Sequence, residues 1–516
     1  ATGAPDTTAP MLSAPTAAAN GANGYTGGVT SDEAGGTLFW VLTGSATAPS
    51  AAQVIAGQDH SGSATGVTAS SQPVAASGAQ ALSGAGLSGG TSYHLHAAQR
   101  DAAGNVSAVI SAAAFTTAFF TAAQPEGHAV VGDWAYIPNI VAASYAPPAH
   151  TKTANPGNFA SIIAGAVDGD VIRLDAGSYG SHEINGLRPA GNITIAAQGY
   201  LGATFGHLAL YNCANVRLMG VRATSKLDVQ KCDGCEVDWA KAKSLDWGAR
   251  DRTGTLSYTF RSLPANQGGT LRRTIVDREW PSGAGGKIQA AIIGDTDNMT
   301  LRNCMVIRGN EDAMKFRGVK GGLIEEVFTG FARVEEQYHN SSNSSTDYHG
   351  DSAQFEGYSG WENEDIAIRF SAFVSPNFSG YRTSQGLFMK DGTHRRYTIQ
   401  NVIGSASLNG NSIVTEEFHS DTLIENCDAF GGVIRCSKSS NTVRNSICRF
   451  IQVESGYDGP SQSGNVTYGS PASQTSVYQG TDRASFDDYL LQSSVNQSKG
   501  AAELKALIIA RRAAVT

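Results

Sequence analysis

Nine short runs of similar form recur between residues 215 and 450: NVRLMGV, CEVDWAKA, GTLRRTIV, NMTLRNCMV, GGLIEEVF, DIAIRFSAF, RYTIQNVIG, DTLIENCDAF and NTVRNSICRF. Aligned on the apolar residue two before the turn, they place Leu218, Val237, Leu271, Leu301, Ile324, Ile368, Ile399, Ile424 and Val443 in one column, at steps of 19, 34, 30, 23, 44, 31, 25 and 19 residues. A coil of about 20 residues accounts for the shortest steps, and a coil plus an inserted loop for the longer ones. Stacked at ~4.8 Å per coil, eight steps span roughly 38 Å. Asn303, Asn401, Asn426 and Asn445 share a second column, as an asparagine ladder at a tight turn would. Nine registers with a common asparagine column predict a solenoid.

The segment leading into the repeats carries its own signal. Asn158 is placed to cap a short amphipathic helix bearing Phe159, Ile162, Ile163 and Val167, followed by Asp168-Gly169-Asp170 and the strand VIRLDAGSYG. This helix, GD, strand, GxY pattern closely resembles the entry of right-handed parallel β-helices of the pectate-lyase-like superfamily, in which the helix would cover the open end of the solenoid. The expected fold class is all-β: a right-handed parallel β-helix over 158–470, preceded by a small β-sandwich over 1–117. The first region is almost free of Lys and Arg and breaks into short alternating runs, GTLFWVLTG, TSYHLHAAQRD and SAVISAAAFTT. With Asp6-Thr7-Thr8-Ala9-Pro10 and Asp101-Ala102-Ala103-Gly104-Asn105 it resembles bacterial fibronectin type III or immunoglobulin-like modules, which serve as spacers or attachment domains. His94 and His96 alternate along one strand and read as solvated positions. Five prolines between 118 and 157 predict a semi-rigid linker. Residues 471–516 predict a C-terminal cap with a helix that turns Leu504, Leu507 and Ile508 to one face.

Composition agrees with a turn-rich β protein: charged residues are 16% and the chain of 516 holds 60 glycines, more than the ~7% usual share. The net charge of −8 is opposite in sign to what a nucleic-acid binder needs. No apolar run approaches the ~18 to 20 residues of a membrane span, and ATGAPDTTAP lacks the regions of a signal peptide, so that signal is expected to be removed or never present. Seven cysteines, all after residue 200, cannot form a complete disulfide set; with only a lone CxxC at Cys232 and Cys235, they read as free core thiols rather than zinc ligands. No cofactor and no metal are expected.

A solenoid's inserted loops collect on one face and build its binding surface. The largest insertion lies between Ile324 and Ile368 and contains Tyr348, His349, Asp351, Gln354 and Glu356. The preceding coil's Asp312 to Gly318 aligns with Asp351 to Gly357 without a gap, and Phe388 is matched to Phe316 and Phe355. With period two, inward Met314 and Phe316 leave Lys315 and Arg317 outward beside Gln354 and Glu356, a mixed-charge surface patch. Lys390, His394, Arg395 and Arg396 follow on the next coil, and Glu416, Glu417 and His419 further on. Candidate catalytic residues are His349, Asp351, Lys315, Asp312, Arg317 and Glu356. Candidate substrate-binding residues are Gln354, Tyr348, Trp361, Arg382, Lys390, His394 and Arg395.

Two chemistries compete. A hydrolase needs two carboxyl groups flanking the glycosidic bond, for which Asp312, Asp351 and Glu356 stand. A uronate lyase needs cations for the sugar carboxylate and a base for the C5 proton, which Lys315, Arg317 or His349 would supply. Each position also has a structural reading: Asp312 and Asp351 as turn acceptors, and Lys315 with Glu356 as a surface ion pair worth little. Among pectate-lyase-like proteins, polygalacturonases show a paired-aspartate GDD, where this chain has Asn310-Glu311-Asp312. Alginate-lyase-like members use a lysine and an arginine, which Lys315 with Arg317 or Arg395 would match. The layout is similar to a phage tailspike, which implies a homotrimer on a virion or surface, attached to other tail proteins through its N-terminal module and binding, and cleaving, a bacterial polysaccharide. A secreted polysaccharide lyase and a non-enzymatic adhesin or tail fibre are the alternatives.

Overall fold

The computed structural model describes residues 6–20, 24–63, 69–85, 87, 91–117, 124–248, 250–254, 257–260, 266–278, 289–309, 312–330, 351–357, 362–374, 385–390, 394–405, 411–415, 419–469, 474, 476–479 and 486–514. The chain divides into two compact units, one holding residues 1–123 with 510–516 and the other 124–509.

The first unit contains two antiparallel sheets. Leu12–Asn20, Gly24–Ser31 and Gly78–Ala85 form one; Ala69–Pro73, Thr37–Thr43, Ser92–Arg100 and Ile110–Ser111 form the other, with Phe115–Thr116 also pairing on Ser92–Arg100. Tyr25, Trp40, Leu42, Leu82, Tyr93 and Leu95 are buried in one cluster, where Trp40 Nε1 donates to Tyr25 Oη at 2.7 Å. Alternating apolar residues on facing sheets make this the expected sandwich. His96 departs from the expected solvated strand position. It is fully buried between Thr43 Oγ1 at 3.2 Å and Ser111 Oγ at 2.7 Å, and burial lowers its proton affinity.

The second unit is a stack of parallel rungs, three strands to a coil. In the first sheet every step of the expected column is a register pair: Leu218 to Val237, Leu271, Leu301, Ile324, Ile368, Ile399, Ile424 and Val443. The ladder also extends beyond it, through Ile172 and Ile195 before Leu218 and to Gln462 after Val443. The column is apolar because its side chains fill the solenoid interior, joined there by Leu210, Leu227, Phe316, Phe355 and Ile434 from the third sheet.

Each coil leaves the first sheet through one residue in the left-handed region, which explains the asparagine column. Asn303, Asn401, Asn426 and Asn445 have φ of 54°, 53°, 52° and 52°, and asparagine tolerates this conformation better than other L-residues. The column is not a continuous ladder: Glu326 and Phe370 occupy the same turn between Asn303 and Asn401, at φ of 53° and 47°. The next residue points inward and is small or β-branched, as in Cys304, Val327, Ser371, Val402, Cys427 and Ser446. All seven cysteines are free and buried. Cys304 and Cys427 donate to main-chain carbonyls of the coil before, and burial pushes their thiols up to about 12.

The helix Phe159–Ala164 precedes the first rungs, with Phe159 packed on Tyr179, His182 and Phe205. Asn158 makes no side-chain cap to the helix. The entry turn is closed instead by Asn155 Oδ1, which accepts from the amides of Gly157 and Asn158. Val167, expected on the buried face, is exposed.

Residues 124–145, within the span expected as a linker, are built into the second unit. Trp134, Ala135, Tyr136, Ile137 and Ile140 are buried, and the Trp134 ring lies 5.9 Å from Phe328, 5.5 Å from Phe486 and 4.8 Å from Tyr489. Gly220 is required beside Tyr145, because at φ 69° a Cβ would also meet Tyr145 Oη at 2.3 Å. The segment expected as a C-terminal cap runs along the flank of the late coils. Lys499 reaches Asn445 Oδ1 at 2.7 Å, Glu503 accepts from Asn401 at 3.1 Å, and Ala501 N and Lys505 Nζ meet Asp428 Oδ2 at 3.1 and 2.7 Å. Leu504 and Ile508, on the helix Ala502–Ala513, are buried.

Candidate functional site

The third sheet carries most of the candidate residues that the structure describes. On the strand Met314–Glu325, Met314 and Phe316 enter the core and Lys315 and Arg317 point outward. The strand Asp351–Glu356 lies beside it in the expected register, Lys315 opposite Gln354 and Arg317 opposite Glu356. Inside, Phe316 stacks on Phe355 with ring centroids 4.2 Å apart, which fixes the rungs and therefore the outward groups.

Those outward groups form one ion network. Lys315 Nζ lies 3.0 Å from Asp312 Oδ2 and 2.9 Å from Glu356 Oε1, and Arg317 reaches Glu356 Oε2 through Nε at 2.7 Å and Nη2 at 2.6 Å. Burial alone would raise the Glu356 carboxyl; the Lys315 ammonium and the Arg317 guanidinium outweigh it and hold the group below the usual carboxylate range. Asp312 also accepts the Asp351 amide at 3.2 Å, as the reading of it as a turn acceptor expects.

The patch is not on an open surface, as the sequence led us to expect. Asp312 and Asp351 are fully buried, Lys315 is 4% exposed and Glu356 7%. The Lys315–Glu356 pair is therefore a desolvated contact, in which each partner depends on the other, rather than a weak surface bridge.

The following coil is shifted by one residue from the expected alignment. Met389, not Phe388, continues the inward column of Phe316 and Phe355, while Phe388 lies in register with Gln354. A one-residue slip exchanges the two faces, so Phe388 joins the outward side with Gln354. Lys390 stands opposite Glu356 in the register.

His394 and Arg395 do not reach this network. His394 is fully buried in the interior, its ring 4.4 Å from that of His419 and its Nδ1 3.4 Å from both Asn363 Nδ2 and Tyr397 Oη. Arg395 lies at the turn into the first sheet, paired to Glu364 at 2.7 Å, and Arg396 pairs with Glu364 and Asp365. Their charge is consumed by these carboxylates, so the basic cluster seen in sequence is a turn brace. His419, expected on a surface coil, is also an interior residue. His349, Tyr348, Trp361 and Arg382 lie outside the described residues, as do Glu416, Glu417, Asn310 and Glu311.

A second polar cluster on the same outward face escaped the sequence reading. His207 Nε2 is 2.7 Å from Asp228 Oδ2, and Lys226 Nζ is 2.8 Å from Asp228 Oδ1 and 3.1 Å from Asp246 Oδ2. Burial opposes the Lys226 charge, but Asp246 and Asp228 outweigh it and raise its proton affinity. The available signal was the recurrence of Leu-Asp in SKLDVQ and KSLDWG, two rungs whose Asp228 and Asp246 are register neighbours. Among the described residues, Asp6, Glu33 and Asp101 of the first unit form a group of carboxylates close enough to share one ion; Asp101 already accepts from the amides of Gly104 and Asn105.

No protein-family model matches the sequence, and no curated protein matches it. Among solved structures, the chain is similar to the PL6 family alginate lyase AlyGC at 11% identity and a TM-score of 0.32, over 60% of this chain and 49% of that one. It thus spans about half the length of that lyase. It is also similar to the Streptococcus pneumoniae surface adhesin PfbA, at 10% identity and a TM-score of 0.37 over 60% and 84% of the two chains. The family 28 exopolygalacturonase of Yersinia enterocolitica matches at 10% identity and a TM-score of 0.25, over 89% and 99%. The rung-by-rung pairing itself establishes the architecture: the chain is an all-β protein, a right-handed parallel β-helix preceded by a small β-sandwich.

Proposed function

We propose that this protein binds an acidic bacterial polysaccharide along the outward face of the third sheet and cleaves it by elimination. The observation that carries the reading is the pairing of cations and carboxylates across rungs of that one face, Lys226 with Asp228 and Asp246, then Lys315 and Arg317 with Asp312 and Glu356. Fixed ammonium and guanidinium groups at two places along one face, three rungs apart, suit a polymer with carboxylates along its length. A hydrolase needs a carboxylic acid that holds its proton, a part to which Glu356 is unsuited because Lys315 and Arg317 hold it in the opposite direction. Lys315, clamped between two carboxylates, serves charge neutralisation rather than proton abstraction.

We further propose that the protein works outside the cell or on a virion. In that reading the β-sandwich is an attachment module, and the assembly is a homotrimer of the tailspike kind, which sedimentation equilibrium measures directly. A second reading, an adhesin without catalysis, is favoured by the depth of the Asp312–Lys315–Glu356 network, whose charges already satisfy one another. Incubation with acidic and neutral bacterial polysaccharides, followed by mass spectrometry, separates the readings. Products carrying a new C=C support elimination, products that have taken up water support hydrolysis, and retention of one polymer without products supports the adhesin.

A further inference from the structure

We propose that His207, Asp228 and Lys226 form a proton-transfer centre that acts on uronate residues of the bound polysaccharide, an assignment that rests on the reading of function above. His207 and Lys226 are register neighbours on adjacent rungs, and Asp228 follows Lys226 by two residues on the same face, because Leu227 and Val229 between and after them enter the core. A carboxylate oxygen only accepts, so the 2.7 Å contact of Asp228 with Nε2 fixes the proton there and leaves the lone pair of a neutral imidazole on Nδ1. Among the described residues His207 Nδ1 has no partner, and the side chain is 13% exposed. This is the arrangement of a general base held by a buried carboxylate.

Two further groups on this face have unused hydrogen-bonding capacity. The Lys226 ammonium has three donors; two meet Asp228 and Asp246, and the side chain remains 29% exposed. Gln230, two residues beyond Asp228, donates its amide to the Asp246 carbonyl at 3.0 Å, while its Oε1 is buried without a donor among the described residues. Neutralisation of two stacked carboxylates accounts for Lys226. It does not account for an imidazole oriented with its basic nitrogen outward, or for a fully buried acceptor left unsatisfied.

The chemistry follows from the placement. Lys226 takes the uronate carboxylate on its third N–H, and the C5 hydrogen of that sugar faces His207 on the neighbouring rung. Nδ1 accepts the C5 proton, the C–H electron pair becomes the C4=C5 double bond, and the C4–O bond breaks. Water protonates the departing glycosidic oxygen, and the imidazolium returns its proton to the hydroxide that remains. Four rung spacings, through Leu208, Leu227, Leu245, Ala291 and Met314, separate His207 from the Lys315 rung, about 19 Å at ~4.8 Å each, and three, about 14 Å, separate Lys226 and Asp228 from it. The Lys315 network therefore holds a different sugar of the same polymer.

The test uses the full chain with polygalacturonate, alginate and hyaluronan as probes, reading the ultraviolet absorbance of the new C=C and, separately, retention of each polymer. H207Q and H207A are expected to lower kcat by ~10²- to 10⁴-fold with KM changed less than threefold, and added imidazole to restore part of the H207A rate. D228N, which keeps the shape but not the orientation of the imidazole, is expected to lower kcat at least tenfold. Thermal midpoints matched to the parent protein exclude misfolding as the cause. Cleavage that persists unchanged in H207Q overturns this assignment and leaves the reading of function standing. Binding or cleavage of none of the polymers by the parent protein overturns both.

Discussion

Burial of His419 inside the solenoid makes a defined acid weakness. Among the described residues neither ring nitrogen has a partner, the ring lies 4.4 Å from that of His394, and burial, with His394 and Lys438 adding to it, pushes its proton affinity well below the ordinary histidine range. The folded chain therefore keeps this imidazole neutral while the unfolded chain takes up a proton below pH ~6.5. Because the folded value is the lower one, the stability is fully present above pH ~6.5 and falls as the pH drops below it. At pH 7.5 the loss is below ~0.1 kcal/mol; its ceiling, set by the unfolded chain alone, is ~1.4 kcal/mol at pH 5.5 and ~2 kcal/mol at pH 5.0. Urea denaturation from pH 8 to pH 5, comparing the parent with His419→Phe and His419→Gln, reads this directly. Both variants are expected to lose less than the parent between pH 7.5 and 5.5, by up to ~1.4 kcal/mol. Parallel pH dependences for parent and variants would refute the argument, whatever the variants do to stability at neutral pH.

Glu356→Gln should destabilise the second unit by about 3 kcal/mol in urea denaturation, because Lys315 and Arg317 lose the carboxylate both of them reach. Asn426, at φ 52°, should tolerate glycine almost without cost, whereas alanine should cost ~1 kcal/mol, a contrast that denaturation of the two variants measures. A thiol-reactive chromophore should label none of the seven cysteines quickly in the folded protein and all seven in urea, since all are buried and burial raises the thiols of Cys304, Cys427 and Cys448 to about 12.

The rungs were legible in the sequence because each one repeats a physical demand: an apolar residue for the interior, then a residue able to adopt positive φ, then a small side chain. The repeats beginning NMTLRNCMV and DTLIENCDAF state all three. Where the demand weakens, legibility fails. Phe388-Met389 offers two apolar residues in succession, either of which can fill the core, and neighbouring rungs alone decide that Met389 does. His394 read as a surface cation because histidine usually titrates in water, yet the register places it opposite His419 in the interior. Lys315, Arg317 and Glu356 were found because two inserted coils align without a gap. His207 was missed because its partner, Asp228, is defined only by stacking. Charge balance is likewise a property of adjacency: Arg395 is basic in sequence and neutralised in space by Glu364.

A stack of rungs alone would be a one-dimensional array, each coil touching only its neighbours and free to fray from either end. The Trp134 ring changes that connectivity. By meeting Phe486 and Tyr489 over Phe328, it closes a circuit between the stretch that enters the array and the stretch that leaves it. Contacts of such long sequence separation form late, after the whole chain has been synthesised, and they tie the entering stretch to the coil of Phe328 and, through Tyr489, to the later coil of Phe430. Removal of residues 124–145 would therefore loosen rungs at the far end of the sequence, as a cut in a ring opens it everywhere at once.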